Sequence, residues 1–417
     1  MSEQQIGVYT CLPGQARDIR VGTLWAYSRR GAQSAGFMYS PEWLGHPQRY
    51  ELEPALPLIR GTQYSTHALF GCMSDSAPDR WGRTLMRRAE RHQATVERRA
   101  PSTLSEVDFL LLVHDSARQG ALRYSIDGGE SFLHSSDSSA VPPMIRLPEL
   151  MHAADRLCRD EAFSSDLQLL LAPGSSIGGA RPKATVRDEN GNLCIAKFSK
   201  HDDDYSLIAW EAVALQLAEE AGLQVPERRL ITVQGKHVLI LRRFDRGASS
   251  QRLPYISTMT LLNAADNEQH GYDELADMIP VVSASPNRDL QELWERIAFS
   301  VMISNVDDHL RNHGFLRYSA GGWRLSPLFD VNPTPQDIRP RRLSTAIISG
   351  ENAASLQLVR ELAEFYGLSP HDCTQSLRRI GAAVSNWRTV AARLGISRSE
   401  QERMSSAFEH EDGYASL

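Results

Sequence analysis

The chain has 417 residues, of which 41% are hydrophobic and 23% charged, a composition typical of a globular protein with two or three domains. The net charge of −6 argues against a general nucleic-acid binder, although a local basic patch stays compatible with it. Five scattered cysteines without a C-x-x-C pair predict neither a disulfide framework nor a zinc site. The sequence contains no signal segment and no apolar run long enough to span a membrane, so we expect a cytoplasmic protein without a membrane partner.

The first part of the chain predicts short strands followed by helices. Strands are expected where β-branched and aromatic residues are broken by Gly and Pro, at Ile6–Tyr9, Val21–Tyr27, Ala35–Tyr39 and Gly120–Tyr124. Helices are expected at Leu69–Arg98 and Glu106–Val113. Polar residues before Trp81 (Asp75, Asp79, Arg80) are interpreted as helix caps and surface pairs. Ser135–Pro143 has the composition of a linker, so residues 1–140 are predicted to form an N-terminal subdomain.

A loop of small residues follows a predicted helix at Leu147–Arg159. It reads Gly174-Ser-Ser-Ile-Gly-Gly-Ala-Arg-Pro-Lys183. Small residues let backbone N–H groups approach phosphate oxygens, and a basic residue adds positive charge. A glycine-rich turn in a hairpin is the more common meaning of such a segment.

Two strands, residues 184–187 and 193–198, are predicted around an Asn-Gly turn. Lys197 ends an Ile-Ala-Lys triplet on the apolar face, much like the kinase strand whose lysine pairs the ATP phosphates. The predicted helix Ser206–Gly222 carries Glu211 within its apolar stripe, where a carboxylate is costly unless paired. A kinase small lobe needs such a lysine–glutamate pair. The alternatives are a surface lysine and a glutamate that reaches water at the edge of the stripe.

Two further strands are predicted at Leu230–Val233 and Val238–Asp245, followed by a polar loop at Arg246–Arg252. In a kinase this loop is the hinge, whose backbone groups bind the edge of the adenine. We therefore predict a small lobe at residues 141–246 and a helical large lobe at residues 247–417.

The helix predicted at Asp289–Ser304 leads into an acidic loop. Asp307 precedes Asn312 by five residues, and Asp330 follows eighteen residues later. Protein kinases space their catalytic Asp and metal-binding Asn as D-x-x-x-x-N and add a second metal-binding Asp. This spacing predicts phosphoryl transfer from ATP, with Asn312 and Asp330 on magnesium. Asp308 is the alternative base, but it lacks the five-residue offset.

Two other patterns suggest different functions. His270, His309 and His313 near two aspartates could indicate a transition-metal site, but no H-E-x-x-H pattern is present and oxygen ligands suit magnesium better. The segment at residues 390–400 resembles the turn of a helix-turn-helix. Because the residues after it are mixed in charge, helix packing is favoured over DNA contact.

Taken together, these segments resemble the HipA-like serine/threonine kinases, the toxins of bacterial toxin–antitoxin modules. The resemblance covers nearly the whole chain and is carried by Ser176–Lys183, Ile195–Lys197, Arg243–Arg246, Asn305–Asn312, Leu325–Val331 and Glu402–His410. It implies an α+β, two-lobed protein-kinase-like fold with a β-rich N-terminal subdomain and a helical C-terminal lobe. It also implies ATP and Mg²⁺ as cofactors.

The resemblance assigns roles residue by residue. It implies Asp307 as catalytic base, supported by His309 and Arg311, and Asn312 and Asp330 as magnesium ligands. It implies nucleotide-binding residues at Ser176, Gly178, Gly179, Lys183, Lys197, Glu211, Arg243 and Phe244. Ser176 matches the serine that the family autophosphorylates, with Ser175 as the alternative. The added charge there would repel the ATP phosphates and switch the enzyme off.

The resemblance also implies partners. Family members phosphorylate a protein, in known cases an aminoacyl-tRNA synthetase, and a small helix-turn-helix antitoxin holds them. DNA would be reached only indirectly, through that antitoxin. Alternative functions are a small-molecule kinase and a catalytically silent kinase-like binding partner or co-repressor. The intact set of Lys197, Asp307, Asn312 and Asp330 argues against the silent partner.

Overall fold

The computed structural model describes residues 2–12, 15, 17–29, 32–133, 141–174, 179–200, 202–247 and 251–413. The strands in these ranges are β1 Ser2–Thr10, β2 Ile19–Arg29, β3 Ala32–Tyr39, β4 Gln63–Tyr64, β5 Leu122–Ser125, β6 Lys183–Arg187, β7 Leu193–Phe198, β8 Arg228–Val233, β9 Lys236–Arg242, β10 Tyr255–Ser257, β11 Gly314–Ser319 and β12 Gly322–Leu325. The helices are α1 Pro41–Gly45, α2 Gly71–Ser74, α3 Arg80–Val96, α4 Glu106–Leu112, α5 Leu147–Cys158, α6 Ser164–Gly174, α7 Leu207–Glu220, α8 Thr258–Leu261, α9 Tyr272–Val282, α10 Pro286–Met302, α11 Leu356–Glu361, α12 Pro370–Ser385, α13 Trp387–Arg393, α14 Arg398–Arg403 and α15 Ser405–Phe408.

The N-terminal sheet has the strand order β4-β3-β2-β1-β5 and is antiparallel at each pair with a known register. Its buried side chains include Ile6, Val8, Leu24 and Phe37, which are the β-branched, aliphatic and aromatic residues that predict these strands. Gly22 lies at a close approach, because a Cβ there would come within 2.3 Å of the Met38 carbonyl oxygen. The predicted N-terminal strands are confirmed.

The second sheet has the order β6-β7-β9-β8. β6 and β7 form the predicted hairpin, and Lys183 lies opposite Lys197 in its register. Gly191 adopts a φ of 81° in the turn, a conformation that glycine adopts without steric cost. Helix α7 is buried over most of its length, and the predicted helix is confirmed there.

The segment predicted to be helical, Leu69–Arg98, contains two helices, α2 and α3, and the cap and turn residues before Trp81 form the turn between them, which contains Pro78. The apolar run at residues 167–172 belongs to α6, which sequence periodicity did not identify. Helix α10 lies where it was predicted. Strands β11 and β12 are neighbours in a third sheet of order β10-β11-β12.

The chain divides into two compact units. The first comprises residues 1–202, 232–256 and 317–320, and the second comprises residues 203–231, 257–316 and 321–417. The first unit contains the predicted N-terminal subdomain together with most of the predicted small lobe. The predicted boundary near residue 140 lies largely outside the described residues, and the three-part division stays a prediction. Among the described helices, none is long and apolar enough to cross a membrane.

Candidate active site

The acidic loop begins where helix α10 ends at Met302. Ser304 adopts a left-handed backbone with a φ of 51°, which turns the chain sharply out of the helix. Val306 is buried, and its carbonyl accepts hydrogen bonds from the backbone and the hydroxyl of Ser344 at 2.9 and 3.1 Å. The loop is therefore anchored directly before its two aspartates.

The two adjacent aspartates lie in opposite environments. Asp308 is buried, and its carboxylate accepts a 2.6 Å hydrogen bond from the Tyr272 hydroxyl and lies 3.0 Å from Nε2 of the buried His313. Burial would raise the pKa of Asp308, but the neighbouring His313 and Tyr272 hold it below its ordinary value. The side chain of Asp307 is 63% exposed and forms a 2.8 Å ion pair with Arg339, which is itself 49% exposed. Asp308 is thus engaged internally, whereas Asp307 faces solvent.

Asn312 lies close to Asp307 through the predicted spacing. Its buried side-chain amide donates to the Asp307 carbonyl at 3.4 Å, and its backbone N–H donates to the His309 carbonyl at 2.8 Å. His309 is exposed, and Arg311 forms a 2.7 Å surface ion pair with Asp266. The loop therefore holds Asp307 and Asn312 together, while Arg311 points to a surface partner.

The segment that carries Asp330 is tied to the same loop. The buried Asn305 accepts a 3.0 Å hydrogen bond from the backbone N–H of Asn332 and donates to the Ser300 hydroxyl at 3.3 Å. Asp330 adopts a φ of 57°, a left-handed conformation that costs roughly 1–3 kcal/mol in a residue other than glycine. Such strain persists only where the surroundings hold it, and Asn305 is one of the residues that do.

The glycine-rich loop is described from Gly179 onward. Ser175, Ser176 and Gly178 lie outside the described residues. Gly179 has a φ of 102°, and a Cβ there would come within 2.4 Å of the Lys183 ammonium. Lys183 is buried, and its ammonium lies 3.9 Å from the Asp79 carboxylate. Trp81 donates its backbone N–H to the Gly179 carbonyl at 3.4 Å and its indole N–H to the Lys183 carbonyl at 3.0 Å.

Lys197 and Glu211 are both buried, with 8% and 2% of their surface exposed. Lys197 lies on β7 in the first unit, and Glu211 lies on α7 in the second. Of the two interpretations of Glu211, the buried one is correct. A buried carboxylate requires a partner, as does a buried ammonium.

Arg243 makes contacts different from those expected of a nucleotide ligand. Its buried guanidinium bonds both oxygens of Asp245 at 2.9 and 2.7 Å and the carbonyls of Ala117 and Arg118. The side chain is thus engaged within the first unit, and the backbone N–H of Arg243 donates to the Leu193 carbonyl at 2.9 Å. Its role in nucleotide binding stays a prediction. The half-buried Phe244 packs with its ring centroid 6.5 Å from that of Tyr255.

Two sequence alternatives can be compared with the contacts. Among the described residues, no three His, Cys, Asp or Glu side chains cluster as a metal site. In the segment that resembles a helix-turn-helix, Glu400 accepts hydrogen bonds at 2.9 Å from the Ser206 backbone and the Trp210 indole. The Trp387 ring stacks on Phe408 with centroids 4.6 Å apart. These contacts agree with helix packing.

Sequence reasoning missed several residues that position the site. Tyr272, Asn305, His313 and Trp81 contact the predicted residues or their backbone. Asn305 and His313 had a local signal, because both lie within a few residues of Asp307 and Asp308. Tyr272 and Trp81 act through long-range contacts that no local pattern indicates.

Comparisons with known proteins identify the family and the fold of the chain. A sequence profile of the HipA N-terminal domain matches residues 15–124, and one of the HipA-like C-terminal domain matches residues 175–388. The HipA of a Shewanella oneidensis toxin–antitoxin system, solved with HipB and its operator DNA, superposes with a TM-score of 0.65 at 14% identity. That match covers 96% of this chain and 94% of that chain. It confirms the predicted α+β, kinase-like two-lobed fold.

Other similar proteins cover less of the chain. A Haemophilus influenzae protein provisionally described as a kinase is 25% identical over 43% of this chain and 59% of its own length. Y4mE of Sinorhizobium fredii, described in the same way, is 24% identical over 30% and 32%. The chain therefore matches less than two thirds of either relative. The proinflammatory kinase CtkA of Helicobacter pylori has a TM-score of 0.45 at 18% identity, covering 58% of this chain and 90% of that one.

Proposed function

The chain belongs to the HipA-like family, and we propose on that premise that it is a kinase that transfers the γ-phosphate of ATP to a serine or threonine of a protein. Asp307 is the base in this proposal, and His309 and Arg311 support the loop that carries it. Lys197 pairs the ATP phosphates, and Glu211 supports Lys197.

The observation that carries the proposal is the difference in exposure between the adjacent residues Asp307 and Asp308. A base must come within hydrogen-bonding distance of the hydroxyl that it activates. Asp307 is accessible to such a hydroxyl because its ion pair with Arg339 is exposed on both sides. Asp308 lacks that access because Tyr272 and His313 enclose it.

The remaining predicted residues fit magnesium held against ATP. Asn312 supplies an amide oxygen and Asp330 a carboxylate, and Mg²⁺ is usually bound by one or two such ligands together with substrate phosphates. Bound magnesium would neutralise charge on the phosphates. Lys183 and Gly179, at the end of the glycine-rich loop, supply positive charge and a close backbone approach.

We further propose that the protein acts as a toxin that phosphorylates a translation protein, with an aminoacyl-tRNA synthetase as the candidate. A small helix-turn-helix antitoxin would restrain it and link it to DNA. This rests on the family and on the Shewanella oneidensis HipA, which was solved with HipB and operator DNA. Autophosphorylation of Ser176, or of Ser175, would switch it off.

The test is incubation of the protein and a cell lysate with labelled ATP and magnesium. Wild type is compared with Asp307→Asn and with Asp337→Asn, another exposed aspartate in an arginine ion pair, at 3.9 Å from Arg403. We expect label on protein for wild type and Asp337→Asn and none for Asp307→Asn. Absence of label from every lysate protein would remove the protein-kinase proposal, and label only on a small metabolite would indicate a small-molecule kinase.

The autophosphorylation proposal has its own test. Intact mass after incubation with ATP should increase by one phosphate in wild type and stay unchanged in Ser176→Ala. Phosphate that persists in Ser176→Ala and disappears in Ser175→Ala would move the site to Ser175.

A further inference from the structure

Helix α3 carries a line of exposed arginines. At about 100° per residue, the backbone positions of Arg80, Arg87 and Arg91 lie within about 20° of one direction and span about 16 Å along the axis. The Arg87 guanidinium lies 5.2 Å from the centroid of the Phe109 ring, and the Arg87 side chain is still exposed. Arg98, also exposed, follows the helix end by two residues. The opposite side of the helix is buried and carries Trp81, Gly82, Leu85 and Met86. We call Arg80, Arg87, Arg91 and Arg98 the arginine stripe.

The arginine stripe differs from the other arginines of the same region. Arg83, Arg88 and Arg99 form ion pairs of 2.6, 3.1 and 2.6 Å with Glu106, Asp160 and Glu90, respectively. In the part of the chain that the structure describes, none of the four stripe guanidinium groups forms an ion pair with a carboxylate.

This arrangement has a cost for the free protein. Arg87 and Arg91 are four residues apart on one helix face, and like charges at that spacing destabilise a helix by roughly 0.2–0.5 kcal/mol. The chain as a whole is acidic, with a net charge of −6, so carboxylates that could neutralise the stripe are abundant. Because no carboxylate of the described residues neutralises the arginine stripe, the stripe suits an anionic partner that supplies the opposite charge.

The composition of the stripe indicates which anion fits. The planar guanidinium donates two parallel hydrogen bonds to phosphate, which makes arginine well suited to nucleic-acid backbones. Protein interfaces usually add a core of aromatic and aliphatic residues, whereas Thr84 and Thr95 flank the stripe. Single strands are usually bound by stacking on exposed aromatic rings, and the aromatic residue of α3, Trp81, is buried. Contact with the phosphates of a duplex is therefore favoured.

We propose that the arginine stripe binds the phosphate backbone of a nucleic-acid duplex without reading its sequence. This surface is independent of the kinase proposal, since Arg87, Arg91 and Arg98 are absent from the predicted active site. It would add a direct nucleic-acid contact where the sequence predicts only an indirect one. Arg80 lies beside Asp79 and Trp81, which contact the glycine-rich loop, so it is left unchanged in the test.

The experiment measures binding of labelled DNA and RNA duplexes of about two helical turns between about 50 and 200 mM salt. The full-length variant Arg87→Gln/Arg91→Gln/Arg98→Gln is compared with wild type. The matched control is Arg360→Gln/Arg378→Gln/Arg398→Gln, which removes three exposed arginines of the second unit. Both variants lose the same charge, and unchanged thermal unfolding verifies their folding.

The control should bind like wild type, because its three arginines lie outside the arginine stripe. The control and the stripe variant carry the same net charge, so a loss confined to the stripe variant depends on the position of the arginines. The stripe variant should lose roughly tenfold or more in affinity at the lowest salt, and its slope of log K against log salt should become shallower by about 3. Loss confined to the DNA or the RNA arm supports the proposal and identifies the duplex. Failure of wild type to bind either duplex, or an equal loss in the control, would overturn it. Binding of polyglutamate with the same salt slope would also overturn it and indicate an acidic protein partner.

Discussion

Asp307 and Asp308 are neighbours in sequence, yet replacing each by asparagine should have opposite consequences. Asp307→Asn should abolish phosphoryl transfer and leave stability nearly unchanged. Asp308→Asn should destabilise the fold. It should reduce activity only to the extent that it displaces the acidic loop that carries Asp307. The contrast follows from exposure, since the Asp307 side chain is 63% exposed and that of Asp308 is 3% exposed.

The magnitudes follow from the contacts. The exposed ion pair of Asp307 with Arg339 contributes about 0–1 kcal/mol. Removing the acceptor of a buried hydrogen-bonded group costs about 1–3 kcal/mol for each group left unsatisfied. Tyr272 and His313 are the groups left behind at Asp308. Loss of the hydroxyl alone, in Tyr272→Phe, should cost about 1.5–3 kcal/mol, the usual contribution of a hydrogen bond to a charged group.

Urea unfolding gives the stability changes, and initial rates of phosphoryl transfer give the activities. Combining Asp308→Asn with Tyr272→Phe completes a double-mutant cycle. The losses of unfolding free energy in the two single variants should sum to clearly more than the loss measured in the double variant. The assignment of Asp308 to a structural role and Asp307 to a catalytic one is refuted if Asp307→Asn destabilises the protein as much as Asp308→Asn does. It is equally refuted if the two changes at Asp308 and Tyr272 are additive.

Three further changes address the supports of the site and the N-terminal sheet unit. Asn305→Ala should lower the free energy of unfolding in urea by roughly 1–3 kcal/mol. Because Asn332 loses its hydrogen-bond acceptor, the variant should also need more magnesium for half-maximal activity. An unchanged magnesium dependence would contradict this. Burial raises the pKa of Glu53 to about 7 from an ordinary 4.5. The stability that the protonated side chain contributes is therefore full below pH 4.5, and it is lost as the pH rises through 7. Glu53→Gln should therefore be more stable than wild type above pH 7, by up to about 3 kcal/mol, with no such gain at pH 4 in thermal unfolding. Arg243→Lys should destabilise the first unit by about 3–5 kcal/mol, because an ammonium cannot bond Asp245 and two carbonyls together, and unfolding at the wild-type midpoint would contradict that.

The local features of the chain could be predicted because their signals lie within a few residues. The strands of the N-terminal sheet are short runs rich in β-branched and aromatic residues, and α10 keeps a helical period. Asp307 and Asn312 are five residues apart in one loop, and the Asn312 amide donates to the Asp307 carbonyl, so the sequence could predict that they lie close together. Helix α6 was missed because it carries Pro173 and shows little amphipathic pattern.

The supporting contacts could not be predicted because their partners are distant in sequence. Tyr272 lies 36 residues from Asp308, and Asn332 lies 27 residues from Asn305. Arg243 shows the same limit most clearly. Its motif implies a nucleotide contact, but the Ala117 carbonyl that it bonds is 126 residues away. Only the tertiary fold shows that this guanidinium is already occupied.

The described end of the glycine-rich loop is held by residues near the start of α3. Trp81 at the start of α3 donates its indole N–H to the Lys183 carbonyl across 102 residues, and its backbone N–H bonds Gly179. Asp79 adds a carboxylate 3.9 Å from the Lys183 ammonium. The backbone of a phosphate-binding loop must be held if its N–H groups are to point at a ligand. Residues of the predicted N-terminal subdomain supply part of that support, and they belong to the same compact unit as Gly179 and Lys183.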